Sequence, residues 1–212
     1  VSIVVAAVAG ALALRAGLVF AAVLAAMLAG LNATELSRAK RAELAARLHD
    51  ALRLLLAGRD VEAEVVAREV LACRPSGETL ASAAELAGWA RLRQGDPAGA
   101  RAVVDRAAHV GAPSRFFEAA DALATGRVAE GVAVLAWAFA HESGEPSGGP
   151  GPLAALGAQA AADAGQAVAV ARELALVGPG GPEAARAFAA LLDAVGRPVE
   201  ARQVTRALAS GT

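Results

Sequence analysis

The hexapeptide GRDVEA at residues 58–63 returns at 196–201 as GRPVEA, 138 residues later and with a single change. Between the two copies a glycine opens a similar stretch at Gly95 (GDPAGA), Gly126 (GRVAEG) and Gly165 (GQAVAV). The five glycines are 37, 31, 39 and 31 residues apart, an average of 34.5, and 138 is four such periods. Self-similarity at a period of about 20–50 residues marks a repeat architecture, in which each unit buries its apolar face against its neighbours. Each glycine follows 14 or more helix-compatible residues and precedes about 12 more, so the unit reads as a helix, a tight turn and a second helix. Two further offsets agree. Seven residues before the glycines stand Ala51, Gly88, Ala119, Ala158 and Ala189, all small; five after them stand Ala63, Ala100, Gly131, Val170 and Ala201, small in four of five. Small residues at these offsets let the paired helices approach closely, and a glycine after the first helix takes the left-handed conformation that ends it.

Composition fits helices. The chain has 212 residues, 56% of them hydrophobic, with 61 alanines, no tyrosine and only 3% aromatics. Alanine is the best helix former, and outside the first 30 residues β-branched runs are short. The expected fold class is therefore all-α. Net charge is −1, and Lys40 is the only lysine among 20 basic residues. That excludes the clustered Lys/Arg footprint of a nucleic-acid-binding domain, so no nucleic-acid partner is expected. The single cysteine, Cys73, rules out an internal disulfide or a CxxC site and reads as a small apolar residue in the last turn of a helix before Arg74-Pro75.

In "LAGWARLRQGDPAGARAVVDRAA" the unit resembles the tetratricopeptide repeat, whose period is about 34 residues. Gly88 falls at the family's small first-helix position, Gly95-Asp96 at the turn, and Ala100 and Ala107 at the small positions of the second helix. In "ALRLLLAGRDVEAEVVAREVLACRP" the matching residues are Ala51, Leu54, Gly58, Ala63 and Pro75. The resemblance covers residues 43–210 and implies a right-handed α-solenoid of about five TPR-like repeats. The family's aromatics are mostly absent, units four and five are diluted by alanine, and two intervals are stretched. "SGEPSGGPGP" (143–152) reads as a flexible loop and "GPGGP" (178–182) as a shorter break. In the two hexapeptides, Glu62 and Glu200 lie where negative charge suits the helix dipole, Asp60 reads as a capping side chain, and Pro198 suits a helix start by its fixed φ.

The first 31 residues carry one charge, Arg15, and one hydroxyl, Ser2, and are long enough for a membrane span, for which about 20 apolar residues suffice. Two spans are disfavoured, since each half would cover only about 21–24 Å of a roughly 30 Å core. A secretory signal peptide would open with positive charge, and no base precedes Arg15. A buried helix of a soluble bundle is a further alternative. The expected organisation is a transmembrane anchor over 1–31, a basic juxtamembrane segment over 32–42, and the repeat domain over 43–210. Arg38, Lys40, Arg41 and Arg47 follow the span and place the repeats in the cytoplasm of a single-pass membrane protein.

Motifs for chemistry are lacking. His49, His109 and His141 are scattered; "HESGE" (141–145) lacks the second histidine of HExxH and reads as solvated polarity at a helix end. GxSxG, GxxxxGK[ST] and a GxGxxG between strand and helix do not occur, and no enzyme activity, cofactor or metal is expected. Binding is expected instead, because stacked hairpins curve into a concave groove lined by the first helix of each unit. By this alignment the groove carries Leu52, Leu55, Trp89, Leu92, Arg93, Phe116, Ala120 and Leu123. Trp89, Arg93 and Phe116 are residue types that dominate binding energies, although Trp89 and Phe116 could equally fill gaps between alanine-rich helices. Phe117, Trp137 and Phe139 fall on the packing side. The groove lacks the family's Lys/Asn carboxylate-clamp set, which leaves an apolar or amphipathic helix of a protein or peptide as the expected guest. The function expected is a membrane-anchored adaptor. The alternatives are the tail of a polytopic enzyme such as a site-2-type intramembrane metalloprotease, or an exported solenoid.

Overall fold

A computed structural model of the chain describes residues 19–142, 151–177 and 180–210, the side chains from residue 34 onward. Among the described residues there are ten helices and no strand. They are α1 (Val19–Leu56), α2 (Asp60–Ala72), α3 (Glu78–Arg93), α4 (Pro97–Ala107) and α5 (Arg115–Ala124), followed by α6 (Val128–His141), α7 (Pro152–Asp163), α8 (Ala167–Leu176), α9 (Gly181–Ala194) and α10 (Pro198–Ala209).

The five marker glycines do what the period demands. Gly58, Gly95, Gly126, Gly165 and Gly196 all have positive φ, between +68° and +80°. Each closes its helix with the same pair of backbone bonds: Gly58 N–H donates to Leu55 O and Arg59 N–H to Leu54 O. The pair recurs as Gly95 to Leu92 with Asp96 to Arg91, Gly126 to Leu123 with Arg127 to Ala122, Gly165 to Ala162 with Gln166 to Ala161, and Gly196 to Asp193 with Arg197 to Leu192. This is the Schellman closure, in which a left-handed residue turns the chain back to satisfy the last carbonyls. The next helix then starts identically, with the N–H of Ala63, Ala100, Gly131, Val170 and Ala201 donating four residues back. Helix starts differ in detail. Asp96 caps α4 by accepting from Gly99 N–H at 2.8 Å, and Pro198 occupies the first turn of α10. Asp60, expected to cap α2, is instead its first residue, and its carboxylate pairs with Arg93 Nε at 2.9 Å.

Every small residue at the two offsets is buried. At Gly88 the reason is metric: a Cβ would stand 2.7 Å from Val104 Cγ2 and 2.8 Å from Phe117 Cε2. At Gly131 it would stand 2.7 Å from Leu123 Cγ. Such close approach is how alanine-rich helices with few large side chains exclude water and reach interior density.

Two compact units divide the chain, residues 1–46 and 47–212. In the first, α1 shows an exposed stretch, Thr34–Glu43, with Leu36 exposed and Arg38 Nη1 2.7 Å from Glu35 Oε1. In the second, each helix packs on its neighbours in two layers. α3, α5, α7 and α9 stack in succession, and α6, α8 and α10 stack beside them. The core runs without a break from Ala51 and Leu55 to Val204. Across it, Trp89 meets Phe117 edge-on at 5.7 Å, and Phe139 meets Phe116 at 5.2 Å and Phe188 at 4.8 Å. These rings tie α3, α5, α6 and α9 together. The result is an all-α, helical-repeat-like fold.

α1 runs as one helix from Val19 through the boundaries expected at residues 31 and 42. Among the described residues no helix is long and apolar enough to cross a membrane. Residues 1–18 of the expected anchor, 143–150 of the loop expected at 143–152 and 178–179 of the break expected at 178–182 lie outside the described residues, while Gly181 and Pro182 open α9.

Candidate functional site

Six of the eight residues expected to line a groove are interior. Leu55, Trp89, Leu92, Phe116, Ala120 and Leu123 are all buried, Trp89 to 1% exposure. Leu52 is half-buried and packs against the same core. Trp89 also has its polar group answered, its Nε1–H donating to Glu85 Oε1 at 3.4 Å. Glu85 in turn accepts from Ser114 N–H at 3.1 Å and from the Ser114 hydroxyl, while Ser114 Oγ caps α5 at Phe117 N–H, 3.2 Å away. A buried tryptophan with its N–H partnered is an anchor between helices, and here it joins α3 to the start of α5.

Arg93 is likewise engaged. It pairs with Asp60 on α2, and its Nη1 donates at 2.5 Å to Gln159 Oε1 on α7, itself a buried polar side chain. A residue of the second hairpin thus reaches the fourth. The first helices of successive hairpins pack directly on one another, and this covers the apolar residues expected to line a groove. Asp121 is a second buried polar group, held by Arg127 Nη2 at 2.9 Å, with Arg101 Nη1 at 3.8 Å. Glu64 sits between Arg91 Nε at 2.8 Å, Gln94 Nε2 at 3.0 Å and Arg68 Nη2 at 2.8 Å. Burial pushes its carboxyl up, but the hydrogen bonds from Arg91 and Gln94 and the charges of Arg68 and Arg91 outweigh this, and its pKa lies below the ordinary value.

The surface holds what the sequence placed inside. Phe117 and Phe139 are buried as expected, but Trp137 is 45% exposed. It stacks on His141 at 4.6 Å with the planes 16° apart, and the Arg115 guanidinium lies 6.0 Å from its ring centre. His141 is fixed in turn by a contact of Nδ1 with Trp137 O at 2.9 Å. Trp137 therefore stands as a rigid aromatic between two polar groups, beside a shallow depression walled by Ala133 and Val134. Helix α6 is apolar on nearly every side, so no periodicity distinguishes the outward tryptophan from the inward Phe139. Cys73, expected in the last turn of a helix, follows α2 and is exposed.

At the other end of the array α8, α9 and α10 enclose an open groove of about 1240 Å³. Its floor is apolar, formed by Ala175, Leu176, Ala189 and Leu208, and Leu176 is 80% exposed. Arg172, Arg186 and Arg202 stand on its rim with one acid, Asp193. Sequence reasoning missed this groove. Arginine and leucine recur four apart in Arg172 and Leu176, but every amphipathic helix shows that pattern.

Among the described residues no three His, Cys, Asp or Glu side chains come together to hold a metal ion. Fold and surfaces together define an all-α protein of helical-repeat-like build. No family model, curated protein or solved structure matches this chain.

Proposed function

We propose that the protein is a membrane-anchored adaptor whose second unit is a right-handed, TPR-like array of five hairpins that binds another protein. What supports the reading above all is the fivefold recurrence of one turn, with the same left-handed glycine and the same pair of closing hydrogen bonds. An array built of identical joints displays a long surface with little chemistry of its own, which suits binding. On this reading residues 1–31 hold the chain in the bilayer and Arg38, Lys40, Arg41 and Arg47 keep the array on the cytoplasmic side. The contact residues are the exposed ones: Trp137 with Arg115, an aromatic and an arginine of the kind that carry interface energy.

The test has two arms. Carbonate-washed membranes should retain the full-length chain; its release into the wash would remove the anchor. A partner co-purified from detergent should be lost with Trp137→Ala, whose helix content and melting temperature should match the parent chain because the side chain is on the surface. Undiminished recovery with that variant would remove Trp137 from the interface.

A further inference from the structure

The groove between α8, α9 and α10 gathers three arginines and a single acid around apolar side chains. Many arginines elsewhere are engaged, among them Arg59 with Glu62, Arg91 with Glu64, Arg101 with Asp105, Arg115 with Glu118, Arg127 with Asp121 and Arg197 with Asp163. Arg172, Arg186 and Arg202 make no ion pair among the described residues; Arg186 Nε only donates to Pro182 O at 3.1 Å, leaving its terminal nitrogens free. Three arginines and one aspartate leave the rim with an excess of two positive charges around an apolar floor.

The shape of the floor specifies its guest. Within the array, α2 is covered by α3, and α8 by α9. The faces of α9 and α10 that bound the groove receive no such helix among the described residues, and Leu176 and Leu208 are left beside it. Along α9 the groove runs from Pro182 to Asp193, about 17 Å at 1.5 Å per residue, or three helical turns.

We infer that this groove binds an amphipathic helix of about three turns with an apolar stripe and acidic flanks, supplied by a partner protein. The apolar stripe covers Leu176, Ala189 and Leu208, and its carboxylates meet Arg172, Arg186 and Arg202. Guanidinium groups recognise carboxylates in bidentate fashion, and such pairs fix the register of the guest while the apolar contact supplies most of its affinity. This inference deepens the adaptor reading and rests on it, but it concerns a surface separate from Trp137.

The experiment uses the full chain and a fluorescein-labelled 18-residue peptide with leucines along one helical face and glutamates beside them. A lysine counterpart serves as the charge control. Fluorescence anisotropy should show the glutamate peptide binding at least tenfold more tightly than the lysine peptide, and more weakly at 300 mM than at 50 mM salt. Replacing Arg172→Glu and Arg202→Glu together should weaken the glutamate peptide at least tenfold, with the circular-dichroism melt unchanged because both side chains are exposed. Leu208→Ser should weaken it as well. Equal binding of the two peptides, no binding, or indifference to the double arginine variant would overturn the inference. So would self-association of the chain, seen by light scattering, that the same variant abolishes, since the groove would then belong to a second copy. A natural partner lost with Trp137→Ala but kept by the arginine variant leaves the adaptor reading standing while this one falls.

Discussion

At the scale of single residues, the glycines divide into two kinds that a substitution would separate. Gly95 has φ +80° and nothing within 4 Å of where a Cβ would stand, so its requirement is conformational alone. Alanine there should cost about 1–2 kcal/mol, the penalty of a left-handed L-residue. Gly88 has helical φ, but its Cβ would overlap Val104 and Phe117 on two neighbouring helices. Alanine there costs overpacking, about 1–3 kcal/mol, against a gain of about 1 kcal/mol in helix propensity. The two are told apart by combining each with Val104→Ala, which opens space beside Gly88 only. In urea unfolding, Val104→Ala should offset part of the Gly88→Ala loss and add independently to that of Gly95→Ala. Additivity in both pairs would show that Gly88 is not chosen for contact.

At the scale of elements, Glu64 clasps α2 to α3 through Arg91 and Gln94. Its pKa is lower in the folded chain, so folding is stabilised while the carboxylate is charged. That contribution is complete above the ordinary glutamate value of 4.5 and fades as the pH falls through the lower folded value. Glu64→Gln should therefore lower the melting temperature at pH 7, and the difference from the parent chain should shrink as the pH is taken below 4.5. A gap that stays constant down the acid limb would mean that the clasp owes nothing to ionisation. The same element-level closeness explains how Arg93 comes to join three hairpins, through Asp60 and Gln159. Nothing in the spacing of residues 60, 93 and 159 announces it, because the meeting depends on how sharply successive hairpins turn.

At the scale of the whole molecule, the continuous core among the described residues runs from Ala51 to Val204, inside the unit that spans residues 47–212, with Leu44 the one buried apolar residue described before it. Repeat arrays derive stability from units and the interfaces between neighbours, so a segment that adds only Leu44 to the described buried residues should be dispensable for folding. A chain of residues 47–212 should retain its helical circular-dichroism signal and melt cooperatively within about 4 °C of the full chain, a difference worth about 1 kcal/mol at this size. Loss of cooperative melting would show that the core draws on residues before 47.

The turns and the small positions were legible in the sequence because their causes are local. A left-handed glycine and two hydrogen bonds within six residues are properties of one hairpin, and five copies of the hairpin repeat them. The all-α class follows from the same source, an abundance of alanine between regularly placed glycines. Orientation was not legible. Trp89 was left open between groove lining and core and is core, whereas Trp137 was expected in the core and is 45% exposed. The helix of Trp137 is apolar almost all round, and that of Trp89 mixes charged and small apolar residues without one marked apolar face, so burial is assigned by which neighbour covers a face. That is decided by the winding of the array, which brings α7 within reach of Arg93 and leaves α6 open at Trp137. The groove between α8, α9 and α10 has the same origin: its leucines and arginines are ordinary residues of amphipathic helices, and only the packing of three helices makes them one surface.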